Sequence, residues 1–280
     1  MHVFTRLFRM RRAARPALAA LVVAFALTAC ETTDEDALLP ERPVEELYNE
    51  GLDLMLAGEY QQSAKVFDEV ERQHPYSQWA SKAQVMAAFA HYQNNAYDDA
   101  INALDRFIQL HPGNPDVSYA YYLKAISYYE QISDVGRDQE MTRLALDSLD
   151  EVVRRFPETG YARDASLKID LARDHLAGKH MEIGRFYQDR FEYLAAVNRF
   201  RLVIGQYQTT THVPEALHRL VECYMALGID GEAQATAAVL GYNFPGSPWY
   251  SDSYALLTGA ELEPQENEDS WIARTWDSVF

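Results

Sequence analysis

Cysteine is nearly missing from this 280-residue chain, with Cys30 and Cys223 the only two. If Cys30 is used elsewhere no internal disulfide can form, and the fold has to stand on packing. Cys223 lies in an apolar helical pattern and reads as an inert core residue. Basic residues are scarce as well. Twenty-five Lys and Arg face 42 Asp and Glu, a formal charge of −17, and phosphate recognition along nucleic acid needs clustered cations, so no nucleic-acid partner is expected. The same acidic surface repels anionic lipid headgroups. Catalytic signatures are absent too: there is no Gly-x-Ser-x-Gly, Walker loop, Gly-x-Gly-x-x-Gly or His-Glu-x-x-His. His175 and His180 stand five apart, on different sides of a helix, which disfavours zinc. The chain reads as a non-enzymatic binding protein without metal or cofactor.

What is present starts at the N-terminus. Arg6, Arg9, Arg11, Arg12 and Arg15 form a basic head without an acid, Ala17 to Leu27 is apolar, and Leu27-Thr28-Ala29-Cys30 closes the run with small residues before a cysteine. That is the pattern of a secretory signal ending in a lipobox. A membrane-spanning helix needs about 20 apolar residues, and the acidic segment after Cys30 begins too soon for one. The mature chain is therefore expected to begin at Cys30, carrying a thioether-linked diacylglycerol and an N-acyl chain that anchor it permanently. Losing residues 1–29 removes five arginines and no acid, which leaves 20 bases against 42 acids, a net −22.

Internal similarity is the second signal. Gly51, Leu54, Gly58, Tyr60, Phe67 and Pro75 form a first unit, and Ala88, Tyr97, Ala100, Leu104 and Pro112 a second, 37 residues on. A third, 45 residues long, has Ala145, Leu149 and Pro157. Gly184, Tyr187, Tyr193, Ala196 and Phe200 belong to a fourth, and Tyr224, Gly228, Ala233 and Pro245 to a fifth. The pattern resembles the tetratricopeptide repeat. It predicts an all-α, right-handed solenoid of about five helix pairs, in which a small residue of helix A faces a small residue of helix B, Tyr and Phe fill the gap to the next repeat, and proline ends helix B.

Five segments follow: a signal peptide (1–29), a lipidated acidic tether (30–43), an N-terminal block of repeats one to three (44–160), a long helix with repeats four and five (161–258), and an acidic, aromatic tail (259–280). Gln131 to Met141 is an insertion between the helices of repeat three, and loops of that length are often functional. Tyr161 to about Arg190 has no proline and predicts one long helix or two coaxial ones. In the tail, Trp271, Ile272, Thr275, Trp276, Val279 and Phe280 share one helical face. So short a helix is marginal alone. It is expected to fold on the chain's own last repeats, on a partner, or into the N-terminal groove as an autoinhibitory mimic.

Helix-A positions facing the groove, counted on the repeat alignment, are Tyr48, Leu52 and Met55, then Lys82, Val85, Phe89 and Tyr92, then Tyr119, Tyr122 and Tyr129. They describe an aromatic-lined trough with one cation near its start, suited to an extended peptide. The alternative is that these rings simply pack between repeats. Asn198 and Arg199 sit just past the small packing residue Ala196, where a guanidinium can hold a partner carboxylate bidentately or pair with Glu192 or another local acid.

Lipobox, acidic tether, repeats and long middle helix together resemble one family closely. Ala57-Gly58-Glu59-Tyr60, His74-Pro75-Tyr76-Ser77, His180-Met181-Glu182-Ile183-Gly184-Arg185-Phe186-Tyr187 and Tyr193-Leu194-Ala195-Ala196-Val197-Asn198-Arg199-Phe200 resemble the BamD family of outer membrane protein assembly factors. The resemblance implies membership of the β-barrel assembly (BAM) complex at the periplasmic face of the outer membrane. It further implies docking of a BamA POTRA domain by the C-terminal repeats, contact with other subunits, and recognition of the C-terminal signal of unfolded outer-membrane barrels by the N-terminal repeats. Glu31 after the lipidated cysteine fits sorting to the outer membrane. A periplasmic tetratricopeptide adaptor that scaffolds cell-wall enzymes would share fold and lipobox, so only the family-level matches favour barrel assembly.

Overall fold

The B-to-A loops set the repeat. Four of the five B helices close on a residue with φ near −130° and ψ near +50°, His74, His111, Phe156 and Phe244, each followed by a proline; the B helix of repeat four closes on Tyr207 in the same conformation, with Gln208 after it. A residue before proline is driven out of the helical region, so the chain must turn there. Three of the helices that follow start from a hydroxyl cap: Ser77 Oγ accepts the Trp79 N–H, Thr159 Oγ1 that of Ala162, and Ser247 Oγ that of Trp249.

A computed structural model describes residues 41–277. The signal peptide, Cys30 and most of the tether lie outside the described residues, as do Val279 and Phe280. Among the described residues the chain is helical, with no strand. The helices are α1 (Val44–Leu56), α2 (Tyr60–Gln73), α3 (Gln78–Gln93), α4 (Tyr97–Leu110), α5 (Val117–Tyr129), α6 (Glu140–Arg155), α7 (Gly160–Asp189), α8 (Tyr193–Gln206), α9 (Val213–Leu227), α10 (Asp230–Asn243), α11 (Pro248–Gly259) and α12 (Trp271–Asp277). Each helix from α1 to α10 packs on the next, and the A helices α1, α3, α5 and α7 also touch in sequence. This is the all-α stack of five helix pairs that the repeat predicts. The long segment is a single 30-residue helix, α7.

Pair packing differs from the expected small-on-small contact. A Cβ on Gly51 would lie 2.8 Å from the Phe67 ring, and one on Gly184 would lie closer still to Phe200. The small residue of helix A makes room for a ring of its own helix B, and all of these rings are fully buried. Elsewhere the sizes shift together. Ala88 shares its core with Leu104, Ala125 with Leu149, and Val221 with Ala237.

Two further helices close the C-terminal end. On α11, Trp249 lies against His218 and Arg219 of α9, and His218 Nδ1 meets Ser253 Oγ at 2.8 Å. Burial alone would raise the Glu222 carboxyl, but hydrogen bonds from His218, Gln188 and Arg219 outweigh it and hold the group at about 2. The last helix, α12, folds on α8 and α10, with Ile272 fully buried. Ser270 caps it, the Trp271 N–H donates to the Glu232 carboxylate, and the Arg201 guanidinium lies 4.5 Å over the Trp271 ring. Of the three expectations for the tail, its described part thus takes the chain's own last repeats, on their helix-B side. It does not enter the N-terminal groove.

Candidate functional site

Helix period places Phe89 and Tyr92 one turn apart on α3, and Tyr119 and Tyr122 one turn apart on α5. Their rings are half-buried. Phe89 stacks on Tyr92 with centroids 6.4 Å apart, while Tyr119 and Tyr122 both lie against Tyr161 of α7, at 5.6 and 5.2 Å. Tyr122 Oη donates to Asp164 Oδ2 at 2.5 Å, Asp164 pairs with Lys168 at 3.4 Å, and the Lys168 ammonium lies 5.4 Å over the Tyr129 ring. Four aromatic side chains expected at the trough, Phe89, Tyr92, Tyr119 and Tyr122, therefore line one surface, and Tyr129 joins it through Asp164 and Lys168.

Three of these phenols, Tyr92, Tyr119 and Tyr122, are held neutral. Burial pushes Tyr92 up to about 12, helped by the Glu130 carboxylate 3.4 Å from its hydroxyl. Burial also takes Tyr119 to about 12, with smaller contributions from the neighbouring phenols Tyr161 and Tyr92. Burial and then Asp164 raise Tyr122 as well. Neutral rings in apolar contact on one side and open on the other can stack on an incoming side chain, and their hydroxyls can bond to its backbone.

Other expected residues fall elsewhere. Tyr48 is wedged between Phe67 and Trp79, at 5.4 and 4.7 Å, half-buried against the first core. Val85 is a core residue, 6% exposed, because its face of α3 meets α4 and α5 rather than the groove. Lys82 is exposed, with its ammonium 5.7 Å over Trp79 and no ion pair among the described residues, so it stands at the Tyr48 end as a free cation. Asn198 and Arg199, one residue apart on α8, point apart. Asn198 is exposed, whereas Arg199 turns back toward His180 of α7 and the repeat-three insertion. Glu192 is paired with Arg190 at 3.4 Å, so Arg199 does not use it. The guanidinium therefore faces the seam between repeats three and four.

Tyr161 escaped the sequence reading, although a signal existed. Trp79, Tyr161 and Trp249 each stand four residues after a loop proline, and each packs back on the preceding A helix, against Tyr48, Tyr122 and His218 respectively.

Residues 40–240 match the family described as YfiO, outer membrane lipoprotein. A relative from Caulobacter vibrioides named "Outer membrane protein assembly factor BamD" is 51% identical over 254 residues, covering 89% of this chain and 83% of its own length. Another of that name, from Rickettsia prowazekii, is 48% identical over 239 residues, covering 85% and 95%. The chain belongs to the BamD family of outer membrane protein assembly factors. Among solved structures, the TPR2AB domain of yeast Sti1 in its pHSP90 complex aligns at TM-score 0.41 and 12% identity, over 78% of this chain and 86% of that one. The BamD-family assignment makes the chain an outer-membrane-associated protein, and no described helix is long and apolar enough to cross a membrane. The family match stops within α10, so α11 and α12 lie outside it.

Proposed function

We propose that the trough on α3, α5 and α7 receives an extended, aromatic-ended segment of an unfolded outer-membrane barrel protein. The observation that carries this reading is the half-open face of Phe89 and Tyr92, stacked on α3, and of Tyr119 and Tyr122, packed on Tyr161 across α5 and α7, with Tyr92, Tyr119 and Tyr122 raised by burial. Each guest ring seated there is worth about 1 kcal/mol beyond its buried area, and the free Lys82 ammonium suits a terminal carboxylate at the Tyr48 end. In this reading the protein is a subunit of the BAM complex, held at the periplasmic face by lipid on Cys30, with repeats four and five docking a BamA POTRA domain through Asn198 and Arg199. The role is that of a binding scaffold rather than a catalyst.

The test is titration of a peptide ending in Phe against wild type and the Phe89→Ala/Tyr122→Ala double variant, with circular dichroism confirming the fold. Loss of two stacking partners should weaken binding at least about tenfold. Equal affinities would sink the trough assignment.

A further inference from the structure

The repeat-three insertion takes no part in the trough, yet it is built as a wall. Gln139, almost fully buried, donates its side-chain amide to the carbonyls of Asp134 and Arg137, and Thr142 Oγ1 donates back to Gln139 Oε1 at 2.9 Å. His175 Nε2 meets the Ser133 carbonyl oxygen at 2.8 Å. Gly178 lets this wall and the α8–α9 loop approach α7, since a Cβ there would come 3.2 Å from His212 and 3.5 Å from Val135.

Between the wall, α7 and α8 lies a cavity of about 250 Å³. Arg137 of the insertion, Arg143 of α6, Lys179 and His180 of α7, and Arg199 and Tyr207 of α8 and its cap contribute to its lining. Asp138 is the single carboxylate there, and it already accepts the Glu140 N–H. Lys179 reaches Glu182 at 3.8 Å, but Arg137, Arg143 and Arg199 have no ion pair among the described residues. In a chain with 42 acids and 25 bases, three guanidiniums without an ion pair face one carboxylate at this cavity, which leaves it locally positive. The His180 ring also lines the cavity, 5.8 Å from the Tyr207 ring, while its Nδ1 is buried away from solvent without a hydrogen-bond partner.

We infer that this cavity is a binding site for a phosphate group. A single carboxylate would neutralise only one of the three guanidiniums. A phosphate monoester brings up to two negative charges and three acceptor oxygens, which match planar guanidinium forks. The group can come from a lipid headgroup or from free phosphate, and the chemistry at the site is the same. Burial and then the Arg199 charge depress His180, so a bound anion should let it rise. The site shares Arg199 with the docking surface proposed above, and its test therefore rests on Arg143.

The full-length mature protein in non-ionic detergent is titrated with inorganic phosphate at constant ionic strength while the His180 ring signals are followed by NMR. A saturable shift and a higher His180 pKa are expected. Arg143→Gln should weaken binding about tenfold, the size of one lost charge-assisted hydrogen bond. Arg106→Gln, a cation on α4, should leave it unchanged. Arg137→Gln serves if the first variant misfolds. Dihexanoyl phosphatidic acid is the second probe: competition at lower concentration than inorganic phosphate assigns the lipid source, and competition only at higher concentration assigns the free ion. Absence of a saturable shift, or equal displacement by acetate, overturns the site. Loss of BamA copurification in Arg199→Glu with phosphate binding intact in Arg143→Gln would instead count against this site alone.

Discussion

One residue position carries the A-to-B turn of four repeats, and it needs left-handed backbone. Gly58, Asn95, Phe191 and Gly228 have φ of 80°, 58°, 63° and 68°. Glycine adopts this conformation freely and asparagine tolerates it, but a bulky ring does so only under strain. Phe191 is also 76% exposed and touches little beyond the edge of Tyr193. Nothing inside the fold needs that ring. Phe191→Gly should therefore raise the unfolding free energy by about 1 kcal/mol, since relief of the left-handed strain exceeds the extra entropy of an unfolded glycine. Urea denaturation measures it, and a destabilised variant would show that the ring packs in a way its exposure hides.

At the scale of elements, the helix pairs are matched by size across the seam. Gly51 meets Phe67 and Gly184 meets Phe200, whereas Ala88 and Ala125 stand with leucines and Val221 with an alanine. Gly184→Ala should thus destabilise by about 2 kcal/mol through overpacking, despite the better helix propensity of alanine. Adding Phe200→Leu reproduces the Ala88–Leu104 combination and should recover most of the loss. The coupling in this double-mutant cycle is expected to exceed about 1 kcal/mol, and simple additivity would refute the pairing. This level also divides what could be read in advance from what could not. Pro75, Pro112, Pro157 and Pro245 act through the local chain, so repeats, loops and the long α7 were legible. The direction of a side chain around α3 or α8 depends on what packs behind it. Val85 therefore belongs to a core rather than the groove, Tyr48 packs half-buried against another, and Arg199 faces the insertion. Tyr161 was missed because its contact is with the preceding repeat.

For the molecule as a whole, the acidic surface limits how ends and faces can associate, and the tail shows one solution. Its linker, 260–270, runs beside α10, where the Gln265 N–H donates to the Gln234 carbonyl and the Gln234 amide to the Glu263 carbonyl. Ile272 is then buried, Trp271 sits under Arg201, and Trp276 meets Phe244 edge-on at 6.4 Å. A seven-residue helix has no stability of its own, so it exists because the B helices of repeats four and five supply the apolar face. That site is built from α8 and α10, whereas the trough is built from α3, α5 and α7, so the two do not compete for one surface. Deleting residues 260–280 should lower unfolding free energy by about 3 kcal/mol, from one buried isoleucine and two partly buried indoles, as read by urea denaturation. The same truncation should leave affinity for the Phe-ended peptide within about twofold, a difference too small to reflect a lost competitor. Tighter peptide binding would mean that the tail reaches the trough after all, and unchanged stability would mean that the docked α12 contributes nothing to the last repeats.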